Sequence, residues 1–254
     1  MTKPLVLEHL TKTFGELRAV DDVSMEINNR NITIVIGPNG SRKTTLLNCI
    51  SGFYEPTSGK VYYNGADITG QSQHAISNHG IMKTSQIPAP LRNLTVLENM
   101  LVSYPYNRGE KFSLVLFKSA WVDDEKEAVK KAEEVIKMLG LEHLRDALAY
   151  KLSGGQLKLL EMGRALMNDA KMLLLDEPVG SVSPVLAHSI FSHLIKLKEV
   201  GITALIVEHR LKIALQYIDY VYAMHLGRVI SQGVPEEVVN DKAVIESYLG
   251  TRNA

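Results

Sequence analysis

Asn31-Ile32-Thr33-Ile34-Val35-Ile36-Gly37-Pro38-Asn39-Gly40-Ser41-Arg42-Lys43-Thr44-Thr45 decides the fold. Its opening is a short β-branched run, and Gly37-Pro38-Asn39-Gly40 stops it. A run bounded by turn residues in this way suits a buried strand that feeds a loop. Thr45 to Ser51 then has helical character, so the stretch reads as strand, glycine-bearing loop, helix. Two later runs, Met172-Leu173-Leu174-Leu175 and Ile202-Thr203-Ala204-Leu205-Ile206-Val207, each stop abruptly at acidic or polar residues. Between them Pro184 to Val200 has helical periodicity. Strands alternating with helices predict a parallel sheet covered on both faces.

On the N-terminal side, Val6 to Phe14 alternates loosely and reads as an edge strand, and Asp22 to Ile27 reads as another. From Thr95 to about Met167 there is no comparable strand run, and Glu125 to Leu139 mixes charged residues with apolar ones at helical spacing. The expected organisation is one domain over residues 1–254. Its α/β core comprises 1–83 and 161–254, and a helical subdomain over 84–160 is inserted into it.

The 254 residues are enough to bury such a core. Basic and acidic residues balance at 28 each, so no global field steers the chain onto nucleic acid, and no nucleic-acid partner is expected. Cys49 is the one cysteine, which excludes an intrachain disulfide and fits a reducing compartment. No stretch approaches the roughly 18 apolar residues that span a bilayer. Met1-Thr2-Lys3-Pro4 lacks the apolar run of a signal peptide. The expectation is a cytoplasmic protein that reaches a membrane only through a partner.

Three stretches carry phosphate chemistry. Gly37 to Thr45 resembles the Walker A loop, G-x-x-x-x-G-K-[ST], in which backbone N–H groups and a helix start cradle phosphate oxygens. Lys43 stands where a lysine reaches the β- and γ-phosphates, and Thr44 where a hydroxyl ligates Mg²⁺. Arg42 departs from the pattern by replacing its second glycine. Leu173-Leu174-Leu175-Asp176-Glu177-Pro178 ends an apolar strand in paired carboxylates and resembles Walker B. Leu152-Ser153-Gly154-Gly155-Gln156 precedes a helical segment, where a serine hydroxyl and glycine N–H groups at a helix start can meet an anion.

Leu152 to Gln156 matches the signature motif of ABC ATPases, and with the Walker motifs in this order the whole chain, to about Leu249, resembles that family. Softer marks resemble the ATPase subunits of branched-chain amino acid importers: Leu94-Thr95-Val96-Leu97-Glu98-Asn99, Glu208-His209-Arg210-Leu211, and the ending Ile245-Glu246-Ser247-Tyr248-Leu249-Gly250. The resemblance implies a P-loop NTPase core with a mostly parallel sheet, an antiparallel N-terminal β part and an inserted helical subdomain. It implies ATP and Mg²⁺ as cofactors. Gly37, Pro38, Asn39, Gly40, Ser41, Arg42, Lys43, Thr44 and Thr45 would bind the phosphates, and Phe14 would stack on adenine. Asp176, Thr44 and Gln86 would hold the metal, Glu177 would polarise the attacking water, and His209 would contact the γ-phosphate. Ser153, Gly154, Gly155 and Gln156 would meet the ATP of a second ATPase subunit, of the same or a different chain.

The implied partners are membrane permease subunits, contacted near Gln86, and indirectly an extracytoplasmic solute-binding protein. The implied place is the cytoplasmic face of the inner membrane. The chain departs from the importer pattern at Arg42, at Ser85 where an aromatic is usual, and at Val179-Gly180-Ser181-Val182 after Pro178. Crowding of phosphate at Arg42 is expected to weaken the site, so that Arg42→Gly tightens ATP by about tenfold. Two alternatives stay open: a nucleotide-dependent regulatory or structural subunit with weak hydrolysis, and a lipid- or lipopolysaccharide-export ATPase. A role in repair or translation is disfavoured, because the chain has one ATPase unit and no long coiled-coil insertion.

Overall fold

Leu5, Leu7 and Leu10 set the buried side of the first strand, β1 (Leu5–Phe14). The computed structural model describes residues 3–84, 89–106, 121–180, 182–209 and 211–250. β1 pairs antiparallel with β2 (Leu17–Ile27) on one side and with β4 (Ser58–Tyr63) on the other. β5 (Ala66–Asp67) completes a sheet of order β2-β1-β4-β5. β1 is therefore interior and not an edge strand. Its loose alternation comes from register shifts between Leu7 and Leu10, where His9 takes φ 50°, and not from a missing neighbour.

The second sheet has the order β10-β9-β3-β8-β7-β6. Its strands are β3 (Ile32–Ile36), β6 (Ile81–Lys83), β7 (Met172–Asp176), β8 (Thr203–Val207), β9 (Tyr220–His225) and β10 (Arg228–Gly233). All pair in parallel except the β9–β10 hairpin. β3, β7 and β8 are buried along their whole length, as strands covered on both faces must be. Helix α1 (Lys43–Ile50) follows the loop after β3 and buries Leu46, Leu47, Cys49 and Ile50. These join Leu5 and Leu10 of β1, Val35 of β3 and Leu174 of β7 in one apolar core. At about 25 cal/mol per Å², each such buried leucine or isoleucine contributes roughly 1.5–3 kcal/mol. α2 (Gln73–Asn78) precedes β6, and α6 (Pro184–Glu199) starts at Ser183, whose hydroxyl accepts the Leu186 N–H, with Pro184 in the first turn.

The chain divides into two compact units, 1–86 with 171–254, and 87–170. The second is helical: α3 (Val96–Leu101), α4 (Val122–Met138) and α5 (Gly154–Met167). Thr95 and Glu98 form a reciprocal cap at the start of α3. α4 turns Ala128, Ala132, Val135 and Ile136 inward at helical spacing. On α5, Gly163 lets Met100 approach so closely that a Cβ would lie 2.2 Å from its methyl carbon. The boundary expected at 160/161 falls inside α5, and one continuous helix keeps 161–167 with the helical unit. Among the described residues no helix is long and apolar enough to cross a membrane.

Candidate nucleotide site

The loop between β3 and α1 is held in shape by glycine geometry and by its own lysine. Gly37 has φ 152°, and a Cβ there would meet the Met224 carbonyl oxygen at 2.2 Å. Gly40 has φ 81°. Arg42 has φ 74° and ψ 23°, the left-handed region, and caps α1 without any side-chain hydrogen bond to the helix. The first turn of α1 holds no acidic residue. Its leading N–H groups thus meet no carboxylate of their own turn, at the end of the helix that carries partial positive charge.

Lys43 is 7% exposed. Its ammonium donates to the carbonyls of Gly37 at 2.8 Å and Pro38 at 3.0 Å and to Ser41 Oγ at 3.1 Å. Those contacts occupy all the donors an ammonium has, so a phosphate oxygen must displace one of them. Burial lowers the Lys43 pKa, against the attraction of Glu177, Asp176 and Glu208.

Thr44 Oγ1 donates to Asp176 Oδ1 at 3.2 Å, which joins the start of α1 to the end of β7. Asp176 is 3% exposed, and burial raises its pKa against the Lys83 cation, the Thr44 hydroxyl and Lys43. Glu177 sits at φ 50°, a strained conformation for a side-chain-bearing residue, as functional positions often are. Its Oε1 lies 3.5 Å from His209 Nδ1, and its N–H donates to the Val207 carbonyl at 2.9 Å. The α/β unit therefore brings Lys43, Thr44, Asp176, Glu177 and His209 to the carboxyl ends of adjacent parallel strands, where open α/β sheets bind ligands.

Phe14 is 43% exposed. Its ring meets Tyr54 edge-on at 5.1 Å, and Lys12 Nζ lies 5.1 Å from its centroid, so it remains a surface ring able to take a stacked base. In the helical unit Ser153 caps α5: Gln156 N–H donates to Ser153 Oγ at 3.4 Å, and Ser153 N–H donates to Gln156 Oε1 at 2.8 Å. Gly154 has open space around it. Gln86 and Ser85 lie outside the described residues, as do Ser181 and Arg210.

The ABC transporter family model matches residues 20–180, a span that holds both Walker stretches and the serine-capped start of α5. The chain belongs to the ABC transporter family. A second family model, described as branched-chain amino acid ATP-binding cassette transporter, matches residues 228–254 of this ABC ATPase. It is 47% identical over 255 residues to the probable branched-chain amino acid transport ATP-binding protein LivG of Archaeoglobus fulgidus, covering 99% of this chain and 97% of the relative. It superposes with TM-score 0.86, at 44% identity, on the ADP conformation of an ATP-binding cassette of an ABC transporter, covering 98% of this chain and all of that one. It also superposes with TM-score 0.73, at 27% identity, on a dimeric post-hydrolysis state of an ATP-binding cassette bound to ADP and Pi, covering 91% of this chain and 98% of that one.

Two parts of this ABC ATPase's site escape motif reading. Glu208 is fully buried, its Oε1 accepting the Val179 N–H at 2.9 Å and its Oε2 the His209 N–H at 3.2 Å. It ties the segment after Pro178 to the histidine after β8. Its sequence signal was its place between an apolar strand and His209, where a carboxylate needs buried donors. Lys83 and Asn48 form the other part, with Lys83 Nζ donating to Asn48 Oδ1. Lys83 closes a strand of only three residues, too short for a pattern to single it out.

Proposed function

We propose that the chain is the ATP-hydrolysing subunit of an importer for branched-chain amino acids or related small polar solutes. It would work peripherally at the cytoplasmic face of the inner membrane, beside permease subunits that receive solute from an extracytoplasmic binding protein. The observation that carries the ATPase role is the convergence of Lys43 and Thr44 with Asp176, Glu177 and His209 at the strand ends. Two features support the solute class: the match of residues 228–254 to the branched-chain amino acid transporter model and the name of the 47%-identical relative. The same C-terminal match disfavours the export alternative.

In this reading the N–H groups of 37–45 cradle the phosphates, and Lys43 exchanges a loop oxygen for a phosphate oxygen. Thr44 and Asp176 offer hard oxygen donors already in contact, a set that fits Mg²⁺ with water and phosphate completing it, and Gln86 would join them. Bound Mg²⁺ would neutralise phosphate charge. Glu177 orients and polarises the attacking water, and His209 steadies its carboxylate while facing the γ-phosphate. Phe14 stacks on adenine. Ser153, Gly154, Gly155 and Gln156 complete the ATP site of a second subunit, identical or different, so closure depends on the γ-phosphate.

The test is uptake of labelled leucine by cells lacking the gene, complemented with the parent or with Glu177→Gln. Uptake restored only by the parent supports the reading. Unimpaired leucine uptake in the deletion, with loss of export of a lipid, would replace it.

A further inference from the structure

Lys83 ends β6 as a half-buried cation, and none of the roles above employs it. In the parallel β6–β7 register Lys83 lies beside Leu174, and the Thr84 N–H donates to the Leu174 carbonyl at 2.9 Å. Side chains alternate along a strand, so Lys83, Leu174 and Asp176 project to the same face of the sheet. That face is covered by α1, since Leu174 shares its core with Leu46 and Leu47. Each polar group there finds a partner on the helix: Asp176 takes the Thr44 hydroxyl, and Lys83 takes Asn48 Oδ1. Thr44 and Asn48 are one turn apart on one helix face, so the partners they hold, Asp176 and Lys83, are neighbours along that face. Beyond Asn48, the Lys83 ammonium lies 5.9 Å from the centroid of the Phe53 ring. Lys43, the other cation near Asp176, is engaged by the carbonyls of its own loop. After burial, Lys83 is the largest influence on the Asp176 carboxyl, and it favours the charged form.

We propose that Lys83 is a positioning residue for the divalent ion: it balances the Asp176 carboxylate when no ion is bound and repels the ion when one arrives. The ion is then held weakly enough to leave with the product. This rests on the assignment of Asp176 to the metal. A Lys83→Met side chain keeps the stem and loses the charge, and Lys83→Arg keeps the charge.

Two measurements on the full chain test it. The first is thermal unfolding without nucleotide or added metal, for the parent, Lys83→Met, Asp176→Asn and the double variant. Lys83→Met should lower the Tm by about 2–4 °C more in the parent than in the Asp176→Asn background. The second is Mn²⁺ titration of the ADP-loaded protein followed by electron paramagnetic resonance. Lys83→Met should bind Mn²⁺ about three- to tenfold more tightly, and Lys83→Arg within about twofold of the parent. A merely structural lysine would not tighten a metal. An additive unfolding cycle, or an unchanged or weakened Mn²⁺ affinity in Lys83→Met, overturns the proposal. A protein that cannot be loaded with ADP overturns the nucleotide reading instead, and the unfolding cycle then decides the coupling of Lys83 to Asp176.

Discussion

Arg42 occupies backbone space that glycine enters freely and an L side chain does not, at φ 74° and ψ 23°. The bonds that fix it there are internal to the protein. The Arg42 carbonyl accepts the Leu46 N–H at 3.1 Å, and the Ser41 carbonyl accepts the Gly227 N–H at 3.3 Å. Lys43 ties down the carbonyls of Gly37 and Pro38. Because the fold itself imposes the conformation, its strain weighs on folding rather than on phosphate binding alone. That moves the expected consequence of Arg42→Gly from affinity toward stability. A left-handed L residue costs about 1–2 kcal/mol. The extra freedom of glycine in the unfolded chain offsets about 0.5–1 kcal/mol of the relief. The net gain is about 0.5–1 kcal/mol, or roughly 1–4 °C in Tm for a chain of this size. The assay is thermal unfolding of parent and variant without nucleotide, beside ATP titration of both with Mg²⁺. The expected result is a higher Tm for the variant and an affinity gain smaller than tenfold. An unchanged or lower Tm with ATP bound tenfold tighter or more would place the strain in the bound form instead.

Glu177→Gln should abolish steady-state phosphate release and leave ATP binding intact, checked by turnover and by equilibrium binding on one preparation. Glu208→Ala removes the acceptor of two backbone N–H groups in a fully buried place. At about 1–3 kcal/mol for each of the two stranded groups, it should lower the Tm by roughly 5–20 °C, measured by calorimetry. Leu91, Arg92 and Asn93 are exposed in the segment that follows Gln86. Surface substitutions there should uncouple transport from ATP binding without changing nucleotide affinity, checked by uptake and titration. Burial pushes the Cys49 thiol up to about 11, so it should resist alkylation at pH 8 until the protein unfolds, read by mass spectrometry.

The strands that end at the candidate site were legible because they are short apolar runs cut off by the polar residues proposed to act there. Met172–Asp176 and Thr203–Val207 fall where the runs place them, within a residue or two. The loop could be read for a related reason, since glycines and a lysine ahead of hydroxyl residues have few other uses. What escaped reading depends on pairing between distant segments. Nothing local in Val6 to Phe14 says that Tyr62 will flank it, and so an interior strand looked like an edge. Lys83 acquires its setting only when β6 docks beside β7 and Asn48 arrives from α1. Glu208 likewise looks like a solvated strand end until Val179 brings its N–H. The left-handed backbone of Arg42 was foreseeable in kind, because the motif position belongs to glycine, but the bonds that hold it there were not.

Whether the site hydrolyses ATP is decided by phosphate release from ATP by the purified protein, with and without Mg²⁺, beside the Lys43→Ala and Glu177→Gln variants. The expected result is turnover in the parent that requires Mg²⁺ and is lost in both variants, with ATP still bound by Glu177→Gln. Turnover that survives both substitutions, or a parent that neither binds nor hydrolyses ATP, would contradict it.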